Sequence, residues 1–189
     1  FISFYTPTYR RPKQLSACLA SVSAQRGIEP GTIEQVVIAD HVGVGIDGMY
    51  ARVASYAEAL HGIYVHFLSD DDVLAGPHVV ADLQRAAEAL SYPPLLLVRV
   101  DKGGLTLPVG EPWPPVCGRI DLGCMVTRVD AWKRHADCYG RRYEGDFDFA
   151  ESLARAGVTP RMVDLLFLRG AVSKGAPETD VSGVEMVAP

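Results

Sequence analysis

The strongest constraint on the fold is an alternation. Short apolar, β-prone runs trade places with stretches of helical periodicity through the first half of the chain. "FISFYTP" reads as a first strand, and Pro12 suits a first helical position. Leu15, Cys18, Leu19 and Val22 then recur at i, i+3, i+4 and i+7, which marks one helix face turned to a core. "TIEQVVIAD" is a second strand, and its continuous run Val36, Val37, Ile38 suits a sheet covered on both faces. After the glycine-rich loop "GVGIDG", "MYARVASYAEAL" is helical, with His61-Gly62 at its end, and "IYVHFL" is a third strand. "GPHVVADLQRAAEAL" and "PLLLVRV" add one more helix and strand. This order implies βαβ units, hence an α/β fold with a mostly parallel central sheet flanked by helices.

The second half is more broken. "KGGLTLPVG" reads as an excursion or hairpin, and "GEPWPPVCG" is a proline-rich loop without regular structure. "IDLGCMVT" is a strand and "DAWKRHAD" a short helix. "DFDFAESLARAG" is a helix closed by Gly157, and "RMVDLLFL" is a last strand. A length of 189 residues fits one domain, here 1–168, with 169–189 as a flexible tail rich in Gly, Pro, Ser and Ala.

Composition excludes some classes. The 18 basic residues do not outnumber the 23 acidic ones, which argues against a general nucleic-acid binder. No apolar run approaches the ~20 residues of a membrane span. No secretory signal is visible, and the expected location is the cytoplasm. Cys18, Cys117, Cys124 and Cys138 show no CxxC spacing and are expected to be free, mostly buried thiols.

The chemistry concentrates at "FLSDDDVL", where a strand runs into Asp70, Asp71 and Asp72. Ligands of open α/β sheets bind beyond the carboxyl ends of strands. Three adjacent carboxylates repel one another unless something positive offsets them. An all-oxygen set suits Mg²⁺ or Mn²⁺, which is commonly held by one or two carboxylates and substrate phosphates. The plainer alternative is one acid capping the helix near Pro77, with the others as solvated turn residues.

Four further stretches accompany the triplet: "TPTYRRP" after the first strand, Asp40 at the end of the second, Arg52 opening the helix before the third, and the late "YEGDFDFAESLARAG". Together, from Ile2 to about Leu168, they resemble the pattern of glycosyltransferase family 2 of the GT-A fold. The resemblance implies a nucleotide-binding half over about 1–100 and an acceptor and catalytic half over about 101–168. Thr6, Pro7, Thr8 and Tyr9 would line the base and ribose pocket, with Arg10 nearby. Asp40 would bond the base or ribose, Arg52 would meet the base or diphosphate, and Asp70 the ribose.

By the same resemblance Asp71 is the main metal ligand, with Asp72 in support. Ser69 stands where the family's first acid would be. Asp146 matches the catalytic base, although Gly145 replaces the usual preceding Glu and Glu144 lies one residue earlier. Asp148 is a second-choice base, and Asp146 as a plain helix cap is the alternative. Trp113, Arg119, Asp121, Glu144 and Asp148 are candidate sugar or acceptor contacts, and Lys174 a candidate diphosphate contact. His66, within a strand, reads as a core residue rather than a ligand.

The implied activity is a hexosyltransferase-like, metal-dependent, inverting transfer from a nucleoside-diphosphate sugar, UDP-linked by the family pattern, to an acceptor hydroxyl. That acceptor is a saccharide, lipid carrier, protein or small molecule. Two rivals stand beside it. A degenerate transferase would bind nucleotide or glycan without chemistry. A sugar nucleotidyltransferase would need a glycine-rich first loop, which "TPTYRRPK" lacks.

Overall fold

The computed structural model describes residues 1–139 and 144–170. The chain runs through β1 (Ile2–Thr8), α1 (Pro12–Ser23), β2 (Ile33–Ala39), α2 (Gly45–Tyr56), β3 (Tyr64–Phe67) and β4 (Asp72–Leu74). It continues through α3 (Val79–Ala89), β5 (Leu95–Asp101), β6 (Thr106–Leu107), β7 (Met125–Arg128), α4 (Val129–His135), α5 (Gly145–Arg155) and β8 (Arg161–Gly170).

The sheet has the order β2-β1-β3-β7-β5-β8-β4, with β6 on the end of β5. Its first three strands are parallel, as the alternation implies. The far half is mixed rather than mostly parallel: β7 runs antiparallel to β3 and β5, and β4 antiparallel to β8. Connectivity gives the reason. The segment 102–124 leaves the end of β5 and returns along the same edge of the sheet, so β7 must run backwards. The expected hairpin forms as β6 pairs with β5.

β1 is buried over its whole length, whereas every residue of β2 is only partly covered. The apolar run of β2 therefore belongs to an edge strand and not, as its composition suggested, to one enclosed on both faces. Helix packing follows the expected periodicity: Leu15, Cys18 and Val22 of α1 are buried, as are Val79, Val80, Leu83 and Ala87 of α3. α5 buries Phe149, Ala150 and Leu153 against Trp132 and Tyr139, with the Tyr139 and Phe149 rings stacked 4.5 Å apart. It ends where Gly157 takes φ +77°. The amides of Val158 and Gly157 reach back to the carbonyls of Leu153 and Ala154 at 3.0 and 2.9 Å, which satisfies the last turn.

Of the four free cysteines only Cys18 and Cys124 are buried; Cys117, in a turn, and Cys138, at the end of a short 3-10 helix, are exposed, contrary to expectation. His66 is a core residue. Burial lowers its pKa to about 4, and its Nδ1 lies 3.0 Å from the Met125 carbonyl, to which the neutral ring donates. Among the described residues no helix is long and apolar enough to cross a membrane.

The topology gathers one edge. The carboxyl ends of β2, β1, β3 and β5 and the amino ends of β4 and β7 all arrive there.

Candidate functional site

That edge opens into a cleft of about 670 Å³. Pro7, Thr8 and Tyr9 at the end of β1, Asp40 just past β2, and Asp70 and Asp71 in the turn between β3 and β4 line one side. Asp121 before β7, with Glu144 and Asp146 at the start of α5, line the other.

The acid triplet is divided three ways. Asp70 is buried and accepts the Thr8 hydroxyl at 2.7 Å. Burial pushes its pKa up, against the pull of Thr8 and Arg11. Asp71 is half-buried and meets Arg11 Nη1 at 3.1 Å; the same nitrogen lies 3.3 Å from Asp70. Asp72 lies outside the lining, and its two oxygens take Lys102 Nζ at 2.9 and 2.8 Å. Burial pushes Asp72 up to about 6. Burial also works against the charge on Lys102, but Asp121 and Asp72 outweigh it and raise the ammonium's pKa. At neutral pH this pair is ionised on both sides. Gly170, opposite Asp72 in the ladder, leaves room for the lysine stem: a Cβ there would lie 2.7 Å from Lys102 Cδ.

Two cations of the chain itself, Arg11 and Lys102, thus offset much of the repulsion that the triplet seemed to demand of a metal. The set still fits a divalent cation at one position. Asp71 lines the cleft with its side chain 29% exposed, and one carboxylate completed by substrate phosphates is an ordinary Mg²⁺ arrangement. Asp72, expected as a supporting ligand, is committed to Lys102. Among the described residues no three His, Cys, Asp or Glu side chains come together as a cage.

Asp40 has a local task. Its Oδ1 accepts the amides of Val42 and Gly43 at 3.1 and 3.0 Å, and its Oδ2 that of Val44 at 2.6 Å. The carboxylate expected to meet a base or ribose therefore folds the loop after β2. Gly43, at φ +75°, lies under Tyr9, where a Cβ would come 2.7 Å from the phenol oxygen.

Asp146 sits in the first turn of α5 and is not its cap, a position held by Glu144. Burial raises its pKa to about 6, with a further push from Asp121; amide hydrogen bonds from Phe147 and Leu122 oppose this. A carboxylate poised near neutrality on the wall of a cleft has the acidity of a general base.

The other expected residues fall outside the lining. Thr6 is buried and accepts from Gln35 at 3.0 Å. Arg10 is exposed at φ +49°, with its guanidinium 5.1 Å from the Tyr9 ring centre. Arg52 lies on α2, Trp113 packs half-buried against the core, and Arg119 is exposed. Asp148 lies on α5, two residues past Asp146. Lys174 lies outside the described residues.

Sequence reasoning missed Arg11 and Lys102, both in the lining. The strand-end rule that picked out Asp40 applies equally to Lys102, one residue beyond β5. It also missed Tyr50 and Cys117, which no motif announces.

No protein-family model matches the sequence, and no curated protein matches it. Solved structures do match in fold. Staphylococcus aureus TarS residues 1–349 in complex with UDP superimposes with a TM-score of 0.65 at 15% identity, covering 91% of this chain and 60% of that one. The same protein with UDP-GlcNAc gives 0.62 at 15% identity, over 96% and 61% of the two chains. A longer TarS structure gives 0.61 at 14% identity, over 91% and 37%. The chain thus spans about 60% of the TarS 1–349 structures, and at this identity the likeness is one of fold.

Proposed function

We propose that the chain is the catalytic domain of a nucleotide-sugar-dependent glycosyltransferase, acting on a nucleoside-diphosphate sugar, UDP-linked by preference. One observation carries the reading: a strand-end carboxylate suited to a cation, Asp71, and a carboxylate raised to about 6, Asp146, face one cleft. Support for UDP comes from the TarS complexes, which share the fold.

In this reading the nucleotide lies along the ends of β1, β2 and β3, between Tyr9 and the loop that Asp40 folds. Among the described residues, six acids and two basic side chains, Arg11 and Lys102, line the cleft. An anionic diphosphate entering alone meets net repulsion, so a cation must accompany it. Asp71 would hold Mg²⁺ or Mn²⁺, which when bound would supply Lewis-acid stabilisation for the departing diphosphate. Asp146 takes the proton from the acceptor hydroxyl as that oxygen attacks the anomeric carbon from the side opposite the leaving group. One displacement inverts the centre. The acceptor is a hydroxyl-bearing saccharide, lipid carrier, protein or small molecule.

The test is calorimetric titration with UDP, with and without Mn²⁺, paired with an assay for UDP release from UDP-sugars. Wild type should bind UDP only with Mn²⁺ and release UDP. Asp71→Ala should lose that binding. Asp146→Asn should keep binding and lose turnover; full turnover in that variant removes the proposed base.

A further inference from the structure

The three acids after β3 are not held equally. Lys102 grips both oxygens of Asp72, whose side chain is 3% exposed, at 2.8 and 2.9 Å. Asp70 is fixed by the buried Thr8 hydroxyl at 2.7 Å. Asp71 is held differently. A single nitrogen of Arg11 is shared between it, at 3.1 Å, and Asp70, at 3.3 Å, with the Arg11 and Asp71 side chains each 29% exposed. Both distances exceed the roughly 2.7–2.9 Å of a strong charged N–H···O bond. Of the two cations at the triplet, Arg11 is the loosely held one, and it sits on the acid best placed to bind a metal.

We propose that Arg11 is the resident counter-ion of Asp71, holding the carboxylate until a divalent cation and a nucleoside diphosphate arrive together. The inference rests on the nucleotide-sugar reading of the cleft. With no three-ligand cage among the described residues, a cation alone must displace Arg11 for one carboxylate in return. A cation that brings diphosphate oxygens gains further ligands, and the released guanidinium gains phosphates to pair with, a geometry arginine suits. Cation and nucleotide are therefore positively coupled, each raising the other's affinity by the same factor. Arg11 is a positioning residue in this scheme: it sets the order of binding and moves no proton.

The experiment follows Mn²⁺ by electron paramagnetic resonance, alone and with saturating UDP, in wild type, Arg11→Gln and Arg11→Lys. Wild type should bind Mn²⁺ roughly ten-fold more tightly with UDP, within the usual 5–150-fold span of such couplings. Arg11→Gln should bind Mn²⁺ alone several-fold more tightly than wild type, because Asp71 is no longer occupied, and should gain less from UDP. Arg11→Lys, which keeps the charge, should fall between them. Should Arg11→Gln lose its native circular dichroism, Arg11→Lys against wild type carries the comparison. The proposal is overturned if removing the guanidinium leaves Mn²⁺ affinity without UDP unchanged or lower, or if wild type binds UDP yet takes Mn²⁺ equally with and without it. If wild type fails to bind UDP at all, the nucleotide reading fails, while the Mn²⁺-alone arm still decides the role of Arg11.

Discussion

Asp146 has two requirements that pull against each other. As a base it must be ionised, yet its burial favours the neutral acid and raises its pKa to about 6 from an ordinary 3.8. A raised acid contributes stability below its ordinary pKa and loses it as pH rises through the raised one. Activity has the opposite sign. The pH profile of kcat/KM should climb with unit slope below about 6 and level above it. Asp146→Asn should abolish transfer yet raise the unfolding free energy at pH 7 by on the order of 1 kcal/mol; urea titration at pH 7 checks this, and a destabilised variant would refute it. Lys102 poses the complementary case. Lys102→Met strands an almost fully buried Asp72 and should cost roughly 3–5 kcal/mol at pH 7. Beside Lys102 the Asp72 pKa is about 6, and losing the lysine's downward pull can only raise it, so at pH 5 the acid is neutral and the penalty should shrink by more than half in the same titration. Neither ion pair was legible in the sequence. Lys102 and Asp72 lie 30 residues apart and Arg11 and Asp71 lie 60 apart, so only the closed sheet brings them together.

Elements were legible in proportion to how local their causes are. β1, α1, β3, α3 and α5 carry their own periodicity and stop signals, and each forms near where the sequence indicates. β4 does not: three residues have no pattern to read, and Asp72–Leu74 is a strand only because the end of β8 pairs with it. The antiparallel course of β7 was hidden for a related reason, since it follows from where segment 102–124 returns. Gly62 shows such tertiary control at one position. Its amide donates to Ser3 Oγ at 2.8 Å, and a Cβ there would lie 2.6 Å from the Ser3 backbone nitrogen and 2.8 Å from the Ile2 carbonyl carbon. Backbone cannot swing aside as a side-chain tip can. Gly62→Ala should therefore push β3 off β1 at the start of their pairing and cost about 1–3 kcal/mol, read as a lower urea midpoint with unchanged slope. An unaltered midpoint would show that the contact relaxes freely.

At the scale of the molecule, one apolar core runs under both halves of the sheet, from Ile2, Phe4 and Val65 to Leu96, Val126 and Phe167. The cleft lies across the same span, with Asp71 on one side and Asp146 on the other. A shared core predicts one cooperative transition by circular dichroism and by tryptophan fluorescence, with coincident midpoints. A ligand that binds only the native state raises that transition by mass action, about 2.7 kcal/mol at a hundred times its Kd. For a chain of this size, at about 2–4 °C per kcal/mol, that is roughly 5–10 °C. UDP with Mn²⁺ should produce such a rise in both probes, and UDP with a chelator little or none, because the described lining carries four more acids than bases. Two separated transitions, or a rise confined to one probe, would mean that the halves fold apart and that the cleft is not one site.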